Sequence, residues 1–225
     1  MQQDTYRHKG MRRQLVESLR KKGIKNEKVL EAMGTLPRHY FLDKAFEEHA
    51  YQDKAFPIGN DQTISQPYTV AHMTELLEVE KRQKVLEVGT GSGYQACILA
   101  LLGGRVYSIE RQKDLYEKAK TFLPAIGFPQ IRLFYRDGYK GMPEYAPFER
   151  IIVTAGAPFI PDALRDQLSV GGIMVIPVGE EEQTMFRVRR IAENLYEDEP
   201  LGPFRFVPFV EIGRASCRER VCSTV

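Results

Sequence analysis

The run Val85-Leu86-Glu87-Val88-Gly89-Thr90-Gly91-Ser92-Gly93-Tyr94 constrains the fold most strongly, because an apolar strand ends in an acid and a glycine-spaced turn, then opens into an apolar helix. Glycines at 89, 91 and 93 permit a tight turn and close backbone approach, and unpaired N–H groups at the helix start are placed to face a polar ligand. Such a unit predicts a nucleotide-type cofactor site in a doubly wound sheet. In a dinucleotide fingerprint the third glycine falls five positions after the first, and here that position is Tyr94. The G-x-G-x-G spacing therefore points away from a nicotinamide dinucleotide and toward S-adenosylmethionine.

The rest of the chain agrees with that class. From residue 84 onward, runs 84–88, 105–110, 131–135, 150–154 and 173–178 read as strands with helices between most of them. Alternation of this kind predicts an α/β fold with a Rossmann-like, doubly wound, mostly parallel sheet. Runs 185–191 and 204–210, separated by a polar turn, predict an antiparallel pair on the sheet edge. Upstream, Leu15, Val16 and Leu19, then Val29, Leu30 and Met33 after a candidate cap at Asn26, predict an N-terminal helical cap. Residues 55–67 read as an ordered loop before Val70, Met73 and Leu77 resume helical spacing. The expected organisation is one domain over 1–213, with 1–60 as helical cap and loop and 61–213 as cofactor-binding core and C-terminal strands.

Residues 214–225 break the preceding apolar pattern and read as a foreign tail. This tail holds three arginines and one glutamate, so the other 213 residues carry 29 basic and 29 acidic side chains. A neutral body argues against a nucleic-acid binder, and Arg12-Arg13 with Arg20-Lys21-Lys22 read as the wet face of a helix. No apolar run approaches the roughly 18 residues of a membrane span, and the polar opening lacks a secretory signal, so a soluble, cytoplasmic protein is expected. Cys217 and Cys222 lie in the tail without a companion pair, Cys97 reads as a small buried helix residue, and His8, His39, His49 and His72 lack metal-ligand spacing. No metal is expected.

Three further constellations bear on chemistry. Glu110 ends the second strand 23 residues after Glu87, where a doubly wound fold places an acid to accept hydrogen bonds from ribose hydroxyls. Asp137-Gly138 follows the third strand, where a carboxylate and a backbone N–H suit an adenine edge; Asp-Gly is equally a common turn dipeptide. Gln62-Thr63-Ile64-Ser65-Gln66-Pro67 places two hydroxyls and two amides just before a helix, with Pro67 in its first turn and Ser65 or Gln66 as its cap.

The chain resembles the protein-L-isoaspartate O-methyltransferase family. The resemblance rests on Thr63-Ile64-Ser65-Gln66-Pro67, the glycine run through Gln95, Val106-Tyr107-Ser108-Ile109-Glu110-Arg111, Asp137-Gly138-Tyr139-Lys140-Gly141 and Ile151-Ile152-Val153-Thr154-Ala155. It continues through Leu164, Gln167-Leu168, Gly171-Gly172, Pro177-Val178-Gly179 and Phe206-Val207-Pro208-Phe209-Val210, spanning residues 55–212. The family's Phe-Val-Pro-Leu ending reads Phe-Val-Pro-Phe here, and Val70 stands where some members carry a polar residue.

The resemblance implies methyl transfer from S-adenosylmethionine to the α-carboxylate of L-isoaspartyl residues, a protein-repair reaction. It implies Ser65 beside the reacting carboxylate and Gln62, Thr63, Ile64 and Ser65 close to the cofactor. Glu87, Gly89, Thr90, Gly91, Ser92, Gly93, Glu110, Arg111, Asp137 and Gly138 complete the expected cofactor set, and Val207 and Val210 are expected along the bound peptide. The expected partners are isoaspartyl-containing peptides and proteins, with no nucleic acid or membrane, and the protein itself is expected to be a monomer. The alternatives are a methyltransferase of another substrate class, against which the 62–67 loop speaks, and a silent cofactor-binding module. The carboxylate nucleophile explains why no His-Asp or Cys-His pairing is evident: with an ordinary pKa near 4 it is ionised at neutral pH and needs no general base.

Overall fold

The computed structural model describes residues 3–208, so the expectations placed on Val210, Cys217 and Cys222 lie outside the described residues. Helix α1 (Tyr6–Lys21) begins at Thr5, whose side chain accepts from the His8 amide, and buries His8, Arg12, Leu15 and Leu19 along one face. Arg12 is therefore not on the wet face. Its guanidinium donates to both carboxylate oxygens of Asp4 at 3.0 Å, to the Tyr51 hydroxyl at 3.0 Å and to the Gly34 carbonyl at 2.8 Å. With its fork filled, the side chain can be buried; Arg13, Arg20, Lys21 and Lys22 stay exposed. Helix α2 (Glu27–Thr35) starts at Asn26, whose side chain accepts from the Lys28 and Val29 amides, as its sequence position predicts.

Residues 55–67 are more than a loop. They form a hairpin of β1 (Phe56–Gly59) and β2 (Gln62–Ile64), reversed by Asn60 and Asp61, both at φ +53°. The polar residues that suggest a loop belong to the turn, and the strands are too short to show alternation. Helix α3 (Pro67–Leu77) has Pro67 in its first turn and Gln66 at the cap position, but no cap side chain bonds the helix start. Asp53 does that work from outside the element, accepting the Tyr68 amide at 2.7 Å.

The main sheet comprises β3 (Lys84–Val88), β4 (Arg105–Glu110), β5 (Arg132–Tyr135), β6 (Phe148–Val153), β7 (Leu168–Val178), β8 (Gln183–Ala192) and β9 (Leu195–Phe204). Their spatial order is β5-β4-β3-β6-β7-β8-β9; the first five run parallel and the last two are antiparallel additions. Helices α4 (Tyr94–Leu101), α5 (Lys113–Ala125) and α6 (Asp162–Asp166) link the parallel strands. Alternate side chains divide two cores. Val85, Val106, Ile152, Ile173 and Val175 join the core built with α1 to α5, whereas Leu86, Val88, Ile151, Val153, Met174 and Ile176 join the opposite one with Leu164 of α6. Each fully buried side chain of this kind contributes about 1.5–3 kcal/mol.

The last strand corrects the sequence reading. A strand over 204–210 is expected, but β9 ends at Phe204 and residues 205–207 are irregular, with Pro208 making one isolated bridge to Gly156. The strand hides in 195–204 because it is an edge strand carrying Glu197, Asp198, Glu199, Pro200 and Pro203, the charges and prolines that edges tolerate. Among the described residues, no helix is long and apolar enough to cross a membrane.

Candidate active site

After β5 the chain returns to the other side of β3, so the order reverses between β3 and β6, and the carboxyl ends there open into a cleft of about 860 Å³, part of it open to solvent. This is where open α/β sheets bind ligands. The glycine turn, the ends of β4 and β6, the Gln62–Ser65 stretch and Val207–Pro208 wall it.

Two glycines of the turn are required by packing as well as by backbone. Gly89 has φ +103°, and a Cβ there would lie 2.4 Å from Thr154 Oγ1; Gly93 has φ +85°, and its Cβ would lie 2.7 Å from Leu123 Cδ2. The amides are mostly engaged within the protein. Those of Gly89 and Thr90 donate to the Ile109 carbonyl, Gly91 donates to Glu110 Oε2 at 2.8 Å, Gly93 to the Thr90 carbonyl and Tyr94 to Ser92 Oγ. The expectation of unpaired amides facing a ligand thus fails for most of the turn. A pyrophosphate needs a nest of free N–H donors, whereas this turn presents an acceptor, Glu110. Acceptors suit hydroxyls and a cationic centre, which fits S-adenosylmethionine and not a dinucleotide phosphate.

Glu110 is buried and accepts the Gln112 amide at 2.7 Å as well as that of Gly91; burial raises its pKa above the ordinary carboxylate value. Glu87 is fully buried beneath the turn, and burial pushes its carboxyl up to about 8. The Ser108 hydroxyl donates to Glu87 Oε2 and shares a 2.6 Å hydrogen bond with Thr90 Oγ1, while Glu87 Oε1 has no partner. Thr154 Oγ1 ties the turn to β6 by donating to the carbonyls of Gly89 at 2.7 Å and Val88 at 3.0 Å.

The structure brings Gln62, Thr63, Ile64, Ser65, Gly89, Thr90, Gly91, Ser92, Glu110, Arg111, Gly138 and Val207 onto one cleft wall or another. It does not bring Glu87, Gly93 or Asp137 there. Glu87 and Gly93 support the turn from behind, and Asp137 accepts the Tyr139 amide at 3.0 Å as the cap of a short 3₁₀ turn. The Ser65 hydroxyl makes no hydrogen bond among the described residues, and Val207 is held by its carbonyl, which accepts the Gly156 amide at 2.8 Å. Sequence reasoning misses Met73, Tyr94, Gln95 and Thr154, which also line the cleft. Tyr94, Gln95 and Thr154 fall inside the family-like stretches, but nothing local marks them as cleft residues.

The histidines are used in packing, apart from exposed His49. His8 and His39 stack with centroids 3.9 Å apart, and their ring nitrogens lie with an Asp4 oxygen within a 4.8 Å group. Arg12 engages Asp4 at 3.0 Å, and His39 Nδ1 shares a 2.7 Å hydrogen bond with the Tyr51 hydroxyl, so these side chains form a hydrogen-bonded polar cluster in the core. Cys97 is buried on α4, and burial raises its thiol pKa.

Comparison with known proteins places this geometry. A sequence profile of the protein-L-isoaspartate(D-aspartate) O-methyltransferase family matches residues 10–213. The protein-L-isoaspartate O-methyltransferase of Christiangramia forsetii is 60% identical over 208 residues, covering 92% of this chain and 98% of that one. That of Flavobacterium psychrophilum is 56% identical with the same coverage. A solved protein-L-isoaspartate O-methyltransferase superposes with TM-score 0.80 at 28% identity, covering 88% of this chain and 65% of that one. A putative Plasmodium falciparum homologue, solved with S-adenosyl-L-homocysteine, shares the fold at TM-score 0.78 and 24% identity over 91% of this chain and 98% of its own. The chain belongs to the protein-L-isoaspartate(D-aspartate) O-methyltransferase family.

Proposed function

We propose that the chain transfers a methyl group from S-adenosyl-L-methionine to the α-carboxyl group of L-isoaspartyl residues in damaged proteins and peptides, initiating their repair. The observation that carries this reading is the shared cleft: the unpartnered Ser65 hydroxyl lines the same cavity as the glycine turn and Glu110. Family membership over 10–213 supports it.

When bound, S-adenosylmethionine supplies a methyl group on a sulfonium cation. Glu110, buried and aligned by two backbone amides, would accept ribose hydroxyls. Gly89 to Ser92 provide close backbone approach, the 62–65 stretch and Arg111 flank the group, and Gly138 is the wall suited to an adenine edge. Glu87 and Gly93 act indirectly by supporting the turn, and Asp137 by capping the segment that carries Gly138. Ile64, Val70, Met73 and Ile109 line the cavity with apolar surface that excludes water.

Ser65 donates a hydrogen bond that fixes one oxygen of the substrate carboxylate and leaves the other oriented to react. Val207, pinned through Gly156, offers an extended edge to the peptide, a role that the reading extends to Val210. The neutral body charge supports action on peptides and not on nucleic acid, and the reading takes the chain as a cytoplasmic monomer.

The test is methyl transfer from labelled S-adenosylmethionine to two otherwise identical peptides, one isoaspartyl and one aspartyl, read as base-released methanol. Strong selectivity for the isoaspartyl peptide is expected. Transfer to neither, with S-adenosylhomocysteine binding intact, overturns the reading.

A further inference from the structure

Arg38 sits in a 3₁₀ turn (Arg38–Phe41) just after α2 and is wholly buried. Its Nε donates to the Ala50 carbonyl at 3.0 Å and its Nη2 donates to the Ser65 carbonyl at 2.9 Å. The guanidinium carbon lies 4.9 Å from the centroid of Tyr94, which itself lines the cleft. Arg38 therefore stands behind Ser65.

What distinguishes this residue is its missing counter-charge. Among the described residues Arg38 forms no salt bridge, and its Nη1 is buried without a hydrogen-bond partner, as is the Tyr94 hydroxyl. Asp53, the acid that acts on Arg38 through space, already serves the Tyr68 amide, the Gln66 side chain and Lys22 Nζ. Arg12 shows the usual solution in this same protein: a buried arginine with a carboxylate filling its fork. A buried guanidinium that meets carbonyl oxygens and the neutral ring and hydroxyl of Tyr94, with no carboxylate in its fork, carries a large desolvation cost, and neutral donors would satisfy the same carbonyls. The positive charge is the property that a neutral side chain would not reproduce.

We propose that Arg38 is a positioning and specificity-determining residue for the methyl acceptor: it holds the Ser65 backbone in place, and its unpaired charge draws an anionic carboxylate to the Ser65 side of the cleft. The inference rests on the acceptor assigned under the proposed function. Because the charge acts on the carboxylate before any methyl moves, it stabilises the bound ground state and governs KM more than kcat. Attraction in a cleft of intermediate dielectric is large enough for at least tenfold discrimination between a charged and a neutral acceptor.

The experiment uses the full chain and two peptides of one sequence, the isoaspartyl acceptor and its isoasparaginyl counterpart, whose α-carboxamide is neutral and serves as a competitive inhibitor. In the wild type the carboxylate peptide is expected to bind at least about tenfold tighter than the carboxamide peptide. Arg38→Met is expected to raise KM for the carboxylate peptide about tenfold more than it raises the carboxamide Ki, whose smaller rise reads the lost hold on the Ser65 carbonyl, and Arg38→Lys to restore most of the differential. Calorimetry with S-adenosylhomocysteine checks that each variant is folded.

Parallel shifts of KM and Ki in Arg38→Met would make the residue merely structural and overturn the proposal. If that variant does not fold, the wild-type ratio decides: equal affinity for the two peptides overturns the proposal by itself. Absence of methyl transfer to the isoaspartyl peptide by the wild type is a different outcome, because it removes the acceptor assignment and not the role of Arg38 alone.

Discussion

Thr154 Oγ1 lies 2.7 Å from the carbonyl oxygen of Gly89 and occupies the space that a side chain at residue 89 would need. One hydroxyl thus couples the glycine turn to the neighbouring strand. Gly89→Ala must relieve a 2.4 Å contact at φ +103°, and a cost of about 2–4 kcal/mol is expected together with loss of measurable S-adenosylhomocysteine binding. Thr154→Val keeps the shape but removes both side-chain hydrogen bonds, so a loss of about 1–2 kcal/mol and several-fold weaker cofactor binding are expected. Thermal unfolding and calorimetry check both; an unchanged Gly89→Ala protein would show that the turn tolerates a side chain.

Glu110 accepts two backbone amides with its two oxygens, so Glu110→Gln must set an NH₂ group against one of those donors. Cofactor affinity is expected to fall roughly 10- to 100-fold. Since burial raises the pKa of Glu110, wild-type affinity should also weaken as pH is lowered through that elevated titration, when one acceptor becomes a donor. Calorimetry across an acidic pH series reads this directly, and the Gln variant should lack the pH dependence.

Ser65→Ala leaves the Ser65 carbonyl that Arg38 holds, so the loop should keep its path. The hydroxyl alone is lost. A fall of roughly 10- to 100-fold in kcat/KM is expected, the scale of a hydrogen bond to a charged group, with cofactor affinity within about twofold of wild type. Steady-state kinetics with an isoaspartyl peptide test this, and unaltered activity would remove Ser65 from the reaction.

Glu87 gives a pH signature of stability. Its carboxyl is raised from 4.5 to about 8, so between those values the folded protein binds a proton that the unfolded chain releases. Stability is therefore fully present below the lower value and declines as pH rises through the window, by up to about 1.4 kcal/mol per pH unit for one group. Glu87→Gln keeps an acceptor for Ser108 and cannot ionise, so its urea midpoint should lose that decline. Equal pH slopes for the two proteins would contradict the assignment.

Local sequence determined the elements whose causes are local. Asn26 caps α2 through its own side chain, Pro67 enters α3 where its fixed φ is favourable, and β3 with its glycine turn is written in ten consecutive residues. The same run placed the cleft, because strand order and the right-handed crossover leave a parallel sheet little choice of where to open. What only the tertiary structure decided are relationships across large sequence separation. Asp53 caps α3 from 15 residues upstream of Tyr68, Arg12 turns inward because Asp4, Gly34 and Tyr51 converge on it, and β9 forms from a polar stretch because β8 supplies its hydrogen bonds. The glycine-turn amides belong to this group too: Ile109 and Glu110, from the next strand, take up donors that look free in the sequence. Hydrogen-bond satisfaction of buried groups depends on which chain segments meet, and that information resides in no single window of the sequence.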